Sequence, residues 1–314
     1  MERLYIFTNE NLKKYLGIKI MTAHLDPTKK HDAILLFDCL DGNPNGDPDA
    51  GNQPRIDPQT NQGLVTDACL KRKVRNYVEM VGKDEQTPEK YKIFVEEGSV
   101  LNEKISRAYT DVGLPQKEGT PEQQAQVAKW MQQNFYDLRM FGAVLSTGLK
   151  AGQVWGPMQI SFSRSIDPIF PQSVSITRCA ATQETPKKDG GTKDNKTMGR
   201  KEVLSYGLYK SYVFYNPHLA EKSGCVTERD LELFWQALIK AWEFDRSSAR
   251  GFMACRGLYI FSHASKYGNA PVHELFDKLE IKSTVDVPRS FSDYQVVLDN
   301  ELKLPNGVTL TKLA

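Results

Sequence analysis

Ala33-Ile34-Leu35-Leu36-Phe37, the loop Asp41-Gly42-Asn43-Pro44-Asn45-Gly46-Asp47-Pro48-Asp49, and Thr66-Asp67-Ala68-Cys69-Leu70-Lys71-Arg72-Lys73-Val74-Arg75-Asn76-Tyr77 are the stretch from which the fold is read. An unbroken apolar run between His31-Asp32 and a turn-rich loop predicts a central strand buried on both faces. Beyond the loop, Thr66 or Asp67 can cap a helix. Within it Leu70, Val74, Tyr77 and Val81 recur at i, i+4, i+7 and i+11, the spacing of one buried stripe. With that stripe inward, Lys71 and Arg75 sit one turn apart on another flank with Arg72 nearby. A solvated face is the ordinary fate of such a row. Paired cations at this spacing also suit the phosphates of a polyanion, and Arg adds bidentate geometry.

The pattern continues outward from there. Lys83 to Gly119 has weak periodicity and many polar residues, and predicts an insertion with little core of its own. Thr120-Pro121-Glu122-Gln123 opens a helix carried by Val127, Met131, Phe135 and Leu138. Met158, Ile160 and Phe162 alternate with polar residues as a half-buried strand does. Thr182 to Gly199 is polar with Gly190-Gly191 at its middle, which reads as a projecting hairpin or arm. Leu208 to Tyr215 is an aromatic-rich strand. Thr227 caps a helix bearing Leu231, Phe234, Trp235, Leu238 and Trp242, and Gly257 to Phe261 is the next strand. The order strand, helix, insertion, strand, strand, helix, strand predicts an α+β fold. It is the βαββαβ plan of a ferredoxin-like or RNA-recognition-motif (RRM-like) sheet. Residues 21–314 are expected to form this single domain, closing with a short helix and a tail after Ala270. Residues 1–20 are expected to lie outside it as an N-terminal extension.

Composition narrows the chemistry. The 314 residues are 40% hydrophobic and 25% charged, enough for a real core, with a formal net charge of only +2. The cations are local. Besides Lys71 to Arg75, a second cluster comprises Arg178, Lys187, Lys188, Lys193, Lys196, Arg200 and Lys201, and two basic patches on a neutral body suit a groove. Five scattered cysteines without metal-ligand spacing point to reduced thiols and a cytoplasmic protein, and argue against zinc. No run reaches the length of a membrane span, and Leu4-Tyr5-Ile6-Phe7 is interrupted at once, so neither a signal peptide nor a membrane partner is expected.

Asp41 to Gly46 meets the first half of a calcium-loop pattern, but Asn52 stands where the bidentate Glu belongs. His273-Glu274 lacks its second His, Asp277 holding that place, and no phosphate-binding glycine motif occurs. His24, His31, His218 and His263 have no evident Ser or Cys partner. Asp38, Asp41, Asp47, Asp49 and Asp57 could in principle hold a divalent metal for phosphodiester cleavage. Asp beside Gly, Pro and Asn is nonetheless ordinary turn chemistry, so no cofactor and no catalytic residue are expected. Arg250-Gly251-Phe252-Met253-Ala254 meets only the first three places of the pattern that stacks bases on an RRM sheet.

The runs Asn43 to Asp49, Pro54-Arg55-Ile56-Asp57, Gly63 to Asp67 and Leu70 to Tyr77 together resemble the opening of the CRISPR-associated Cas-seven family. Its members are the repeated backbone subunit of type I Cascade. The resemblance continues through Asp137-Leu138-Arg139, Phe141-Gly142, Gly156 to Pro168, Thr197 to Lys201, Tyr206 to Tyr209, Ala249 to Met253 and Arg256 to Leu258. It is nearest to the type I-C branch. It implies an RRM-like palm, an inserted finger region at about 83–121 and a thumb hairpin at about 178–203. Copies would stack in a filament along one CRISPR RNA that pairs with target DNA, beside Cas-five-type, large and small subunits. The RNA contacts it implies are Asn45, Arg55, Lys71, Arg72, Arg75, Lys150, Arg178, Met198, Arg200 and Lys201. Met198 would be an apolar wedge near a displaced base. Guide sequence varies freely, so these contacts should go to phosphate and ribose. The alternative is a type III-like backbone subunit that cleaves target RNA with an Asp of the loop after the first strand.

Overall fold

A computed structural model describes residues 22–298 and 304–314, apart from 118, 147, 178–184, 187–191 and 194–197. The expected N-terminal extension and most of the arm lie outside the described residues. In chain order the first elements are β1 (His31–Gly42), β2 (Gln62–Val65), α1 (Asp67–Val81), α2 (Leu101–Asp111), α3 (Pro121–Asn134) and α4 (Tyr136–Phe141). Then come β3 (Gly142–Leu145), β4 (Gly152–Trp155), β5 (Met158–Ile160), β6 (Ser163–Pro168), β7 (Gln172–Thr177) and β8 (Met198–Tyr215). The last are α5 (Glu228–Phe244), β9 (Phe252–His263), β10 (Leu279–Ser283), β11 (Tyr294–Leu298) and β12 (Val308–Lys312).

The main sheet runs β12-β9-β1-β8-β6-β2, with β5 and β7 also paired to β8. Every pairing in it is antiparallel. Its central strands therefore stand in the order fourth, first, third, second. Two split β-α-β units interlock there, with α1 and α5 as their crossovers. β1 is buried on both faces, which is why its sequence is continuously apolar. Ala33, Leu35, Phe37 and Cys39 meet Leu70, Val74, Tyr77 and Val78 of α1 and Leu231, Phe234, Leu238 and Trp242 of α5. Phe37 stacks between Tyr209 and Trp242, with centroids 5.3 and 4.8 Å away. Thr66 caps α1 through Cys69 N at 3.2 Å, and a capping box of Thr227 and Asp230 opens α5.

Three expectations change. The stretch 83–119 carries a core after all: Phe94, Ile105, Ala108 and Tyr109 are buried with Val127, Met131, Phe135, Leu138 and Val154. In α2 the buried stripe is short, comprising only Ile105, Ala108 and Tyr109, so it does not stand out among the polar residues around it. Phe162 is exposed because the strand breaks after Ile160 and resumes at Ser163 in the opposite phase. The segment after Ala270 is no tail. Its hairpin of β10 and β11 covers the sheet face away from the helices, enclosing Ile34, Leu36 and Leu208 with Leu279 and Tyr294, while β12 extends the sheet edge.

The second core is clamped to α5 by Arg139. Its Nε and Nη2 donate to Asp230 Oδ1 at 3.0 and 2.6 Å, and its Nη1 donates to Lys90 O at 2.5 Å. The Arg139 and Asp230 side chains are both buried, 3% and 1% exposed.

Candidate nucleic-acid interface

β1 ends where two backbones touch. A Cβ on Gly42 would lie 2.1 Å from Arg250 O, and Gly251, in the left-handed region at φ +60°, would place one 2.3 Å from Leu40 O. Asn43 N donates to Ala249 O at 2.8 Å, and Asn43 Nδ2 donates to Asn52 O at 2.6 Å, which closes the loop on itself. Asn45 Oδ1 accepts from Thr66 N at 2.9 Å, which ties the loop to the start of α1. This leaves a cleft of about 430 Å³ whose lining includes Asn43, Asn52, Arg200, Lys201, Ala249 and one acid, Glu202.

Cations stand in and beside this cleft. Arg200 is exposed and has no ion pair among the described residues; Lys201 Nζ donates to Ser248 O at 3.3 Å and to its hydroxyl. Arg55 is joined to the same loop, its N donating to Asn45 O at 3.3 Å and its guanidinium lying 3.5 Å from Asp47 Oδ2. Its Nε is buried without a partner, as is Asn43 Oδ1. The exposed Arg200 guanidinium and the half-buried Lys201 ammonium can take anionic oxygens.

The cation row of α1 behaves differently. Lys71 Nζ pairs with Asp67 Oδ2 at 2.9 Å and lies 5.6 Å from the Phe141 ring centroid. Lys73 is buried on Asp245 and over Trp242. Arg75 departs from the solvent-facing expectation: its Nε donates at 2.8 Å to Asp137 Oδ2, whose side chain is 1% exposed. Asp137 also accepts from Phe94 N at 2.7 Å and Val95 N at 3.0 Å, so Arg75 holds the second core against α1. Within this row only Arg72 is half-exposed without an ion pair among the described residues.

Other expected contacts scatter. Lys150 lies on the second core, its carbonyl accepting from Tyr109 OH at 2.5 Å. Met198 pairs through its backbone with Thr177 at the base of the arm, where β7 runs beside the start of β8. Arg178 lies outside the described residues. Sequence reasoning passed over Ser248, and it named Arg250 only within a partial base-stacking pattern and the Ala249 to Met253 run of the resemblance, not among the expected RNA contacts; the glycine beside Arg250 marks the turn that carries both.

Three of the five carboxylates named as metal candidates are engaged elsewhere. Asp38 points to the face away from the helices, where Arg256 Nε donates at 2.8 Å and Tyr206 OH at 3.1 Å; burial pushes its carboxyl up. Asp47 accepts from Asp49 N at 3.1 Å, and Asp57 pairs with Arg164 Nη1 at 2.5 Å, which holds its carboxyl below the usual range. Among the described residues no three His, Cys, Asp or Glu side chains converge as metal ligands, and no helix is long and apolar enough to cross a membrane. Cys39, Cys69, Cys225 and Cys255 are free thiols.

Residues 29–299 match the model of the family described as CRISPR-associated protein Cas7, and the chain belongs to that family. It is similar to the CRISPR-associated protein Cas7 of Haloferax volcanii, 25% identical over 232 residues. That alignment covers 67% of this chain and 64% of the relative, so the chain spans less than two thirds of the relative's length. Two solved structures resemble it at 16% identity. One, a CRISPR RNA-guided surveillance complex in a pre-nicking state, gives a TM-score of 0.47 and covers 74% of this chain and 75% of that one. A second CRISPR RNA-guided surveillance complex gives 0.43, with 74% and 68% covered.

Proposed function

We propose that this chain is the CRISPR RNA-binding backbone subunit of a type I surveillance complex, of the I-C branch, and is a scaffold without nuclease activity. The observation that carries the reading is the cleft at the end of β1, where Arg200 and Lys201 face a loop fixed by Asn43 and Asn45 with Arg55 beside it. The central sheet with α1 and α5 serves as an RRM-like palm, about 83–121 as the finger region, and about 178–203 as the thumb, built on the β7–β8 pair. Arg55, Arg72, Arg178, Arg200 and Lys201 hold phosphates. Lys71 and Lys150 contribute at the flanks, Met198 wedges beside a displaced base, Asn45 shapes the loop, and Arg75 acts through Asp137. Further copies, Cas-five-type, large and small subunits and, through the guide, target DNA are its partners in the cytoplasm, and it needs no cofactor. Three of the five candidate acids support this over metal-dependent cleavage, because Asp38, Asp47 and Asp57 already serve Arg256, Arg55 and Arg164.

The test is to co-express the chain with a CRISPR array and analyse the nucleic acid that purifies with it. A uniform repeat-plus-spacer RNA carrying several copies of the protein is expected. Heterogeneous RNA on a monomer would overturn the backbone role, and Mg²⁺-dependent cutting of complementary RNA would replace it with the nuclease reading.

A further inference from the structure

The sheet face away from α1 and α5 is covered by the β10–β11 hairpin and by Phe276 ahead of it, but two apolar side chains stay open at the end next to the cleft. There Phe252 remains 45% exposed, and Leu40, its register partner on β1, is 38% exposed. Around Phe252 stand two guanidinium groups: Arg246 lies 4.9 Å and Arg256 6.0 Å from the ring centroid. Arg256 also lies 5.4 Å from the ring of Phe291, which reaches over from the hairpin connection. The result is an alternating ladder of cation, ring, cation, ring.

Its members are fixed. Arg246 Nη1 donates to Met253 O at 3.1 Å and Nη2 to Glu243 Oε2 at 2.8 Å, while Arg256 Nε donates to Asp38 Oδ2 at 2.8 Å. Glu243 and Asp38 offset much of the charge. What the ladder offers is therefore planar stacking surface more than a field for phosphate. Unstacked bases bind aromatic rings and guanidinium planes in this way with little regard to sequence. Phe252 also follows the 247–250 turn, whose Ala249 lines the basic cleft, so a single strand whose phosphates occupy the cleft carries its bases toward the ladder.

We propose that Arg246, Phe252, Arg256 and Phe291 form a stacking site for an unpaired base of single-stranded RNA. The proposal rests on the RNA-binding reading above and adds a base contact that the phosphate-directed residues do not provide.

Two probes separate the readings: a short adenine-rich RNA and the same backbone with abasic residues. The parent should prefer the adenine-rich strand. Phe252→Leu should weaken binding to that strand roughly five- to a hundredfold and leave the abasic strand unaffected, with the salt dependence unchanged because every phosphate keeps its cation. Phe252→Trp should keep the preference. Circular dichroism and thermal melting serve as folding controls, and the parent's own preference requires no variant. A parent indifferent to base content, a Phe252→Leu variant that binds like the parent, or an equal loss on both strands would each overturn the proposal. A parent that binds neither strand would overturn the RNA-binding reading itself, and this site with it.

Discussion

Lys71 to Arg75 and Arg200-Lys201 look alike in the sequence, yet the fold uses them in different ways. On α1, Lys71, Lys73 and Arg75 are drawn onto Asp67, Asp245 and Asp137, and two of those carboxylates belong to distant parts of the chain. On β8, Arg200 stays exposed and Lys201 reaches the Ser248 hydroxyl and carbonyl. Charge density along a helix shows how many cations are present but not where their counter-ions sit. A cation beside a buried carboxylate acts in folding, because leaving either partner unpaired in the interior is costly. A cation without one keeps its charge for a ligand.

The largest effect expected from breaking this contrast lies at Arg139, whose side chain is 3% exposed over a carboxylate that is 1% exposed. Arg139→Ala leaves Asp230 in the interior without its guanidinium and opens the join between the second core and α5. A loss of about 3–5 kcal/mol is expected. Urea unfolding measures it, and a loss under roughly 1 kcal/mol would mean that the join is held by apolar packing alone.

Legibility in the sequence varied with distance along the chain. The central strand, both crossover helices and their Thr66 and Thr227 caps could be read because each depends on neighbours a few residues away. The partners of Lys73 and Arg75 lie just beyond α5 and on α4, and no local pattern points to them. The second core was hidden for a related reason: α2 presents a short stripe of Ile105, Ala108 and Tyr109 that becomes a core only once α3 and β4 lie against it. At the candidate site the glycine and asparagine turns signalled a shaped loop, but the cleft exists only because the 247–251 turn comes to rest on the end of β1.

A smaller effect is expected at Arg75, where the contrast can be sharpened. Arg75→Ala removes one of the donors to Asp137, while Phe94 N and Val95 N remain, so about 1–3 kcal/mol of stability should be lost. RNA affinity measured across salt concentrations should keep its slope. A flatter slope with unchanged stability would return Arg75 to the phosphate-binding set and erase the distinction between the two rows.

The smallest effect on stability, and the clearest on binding, belongs to the cleft. Arg200→Ala combined with Lys201→Ala removes two cations that have no ion pair among the described residues, Lys201 being bonded to Ser248 alone there, so unfolding free energy should stay within about 0.5 kcal/mol of the parent. If both hold phosphates, counterion release requires the slope of log affinity against log salt to flatten by roughly 0.7 for each phosphate released on a single strand, about 1.4 in all. Titrations of guide RNA across a range of salt concentrations would show it. A slope equal to the parent's would move the interface away from this cleft, and Arg72, the half-exposed cation of α1 that has no ion pair among the described residues, would then be the next residue to test.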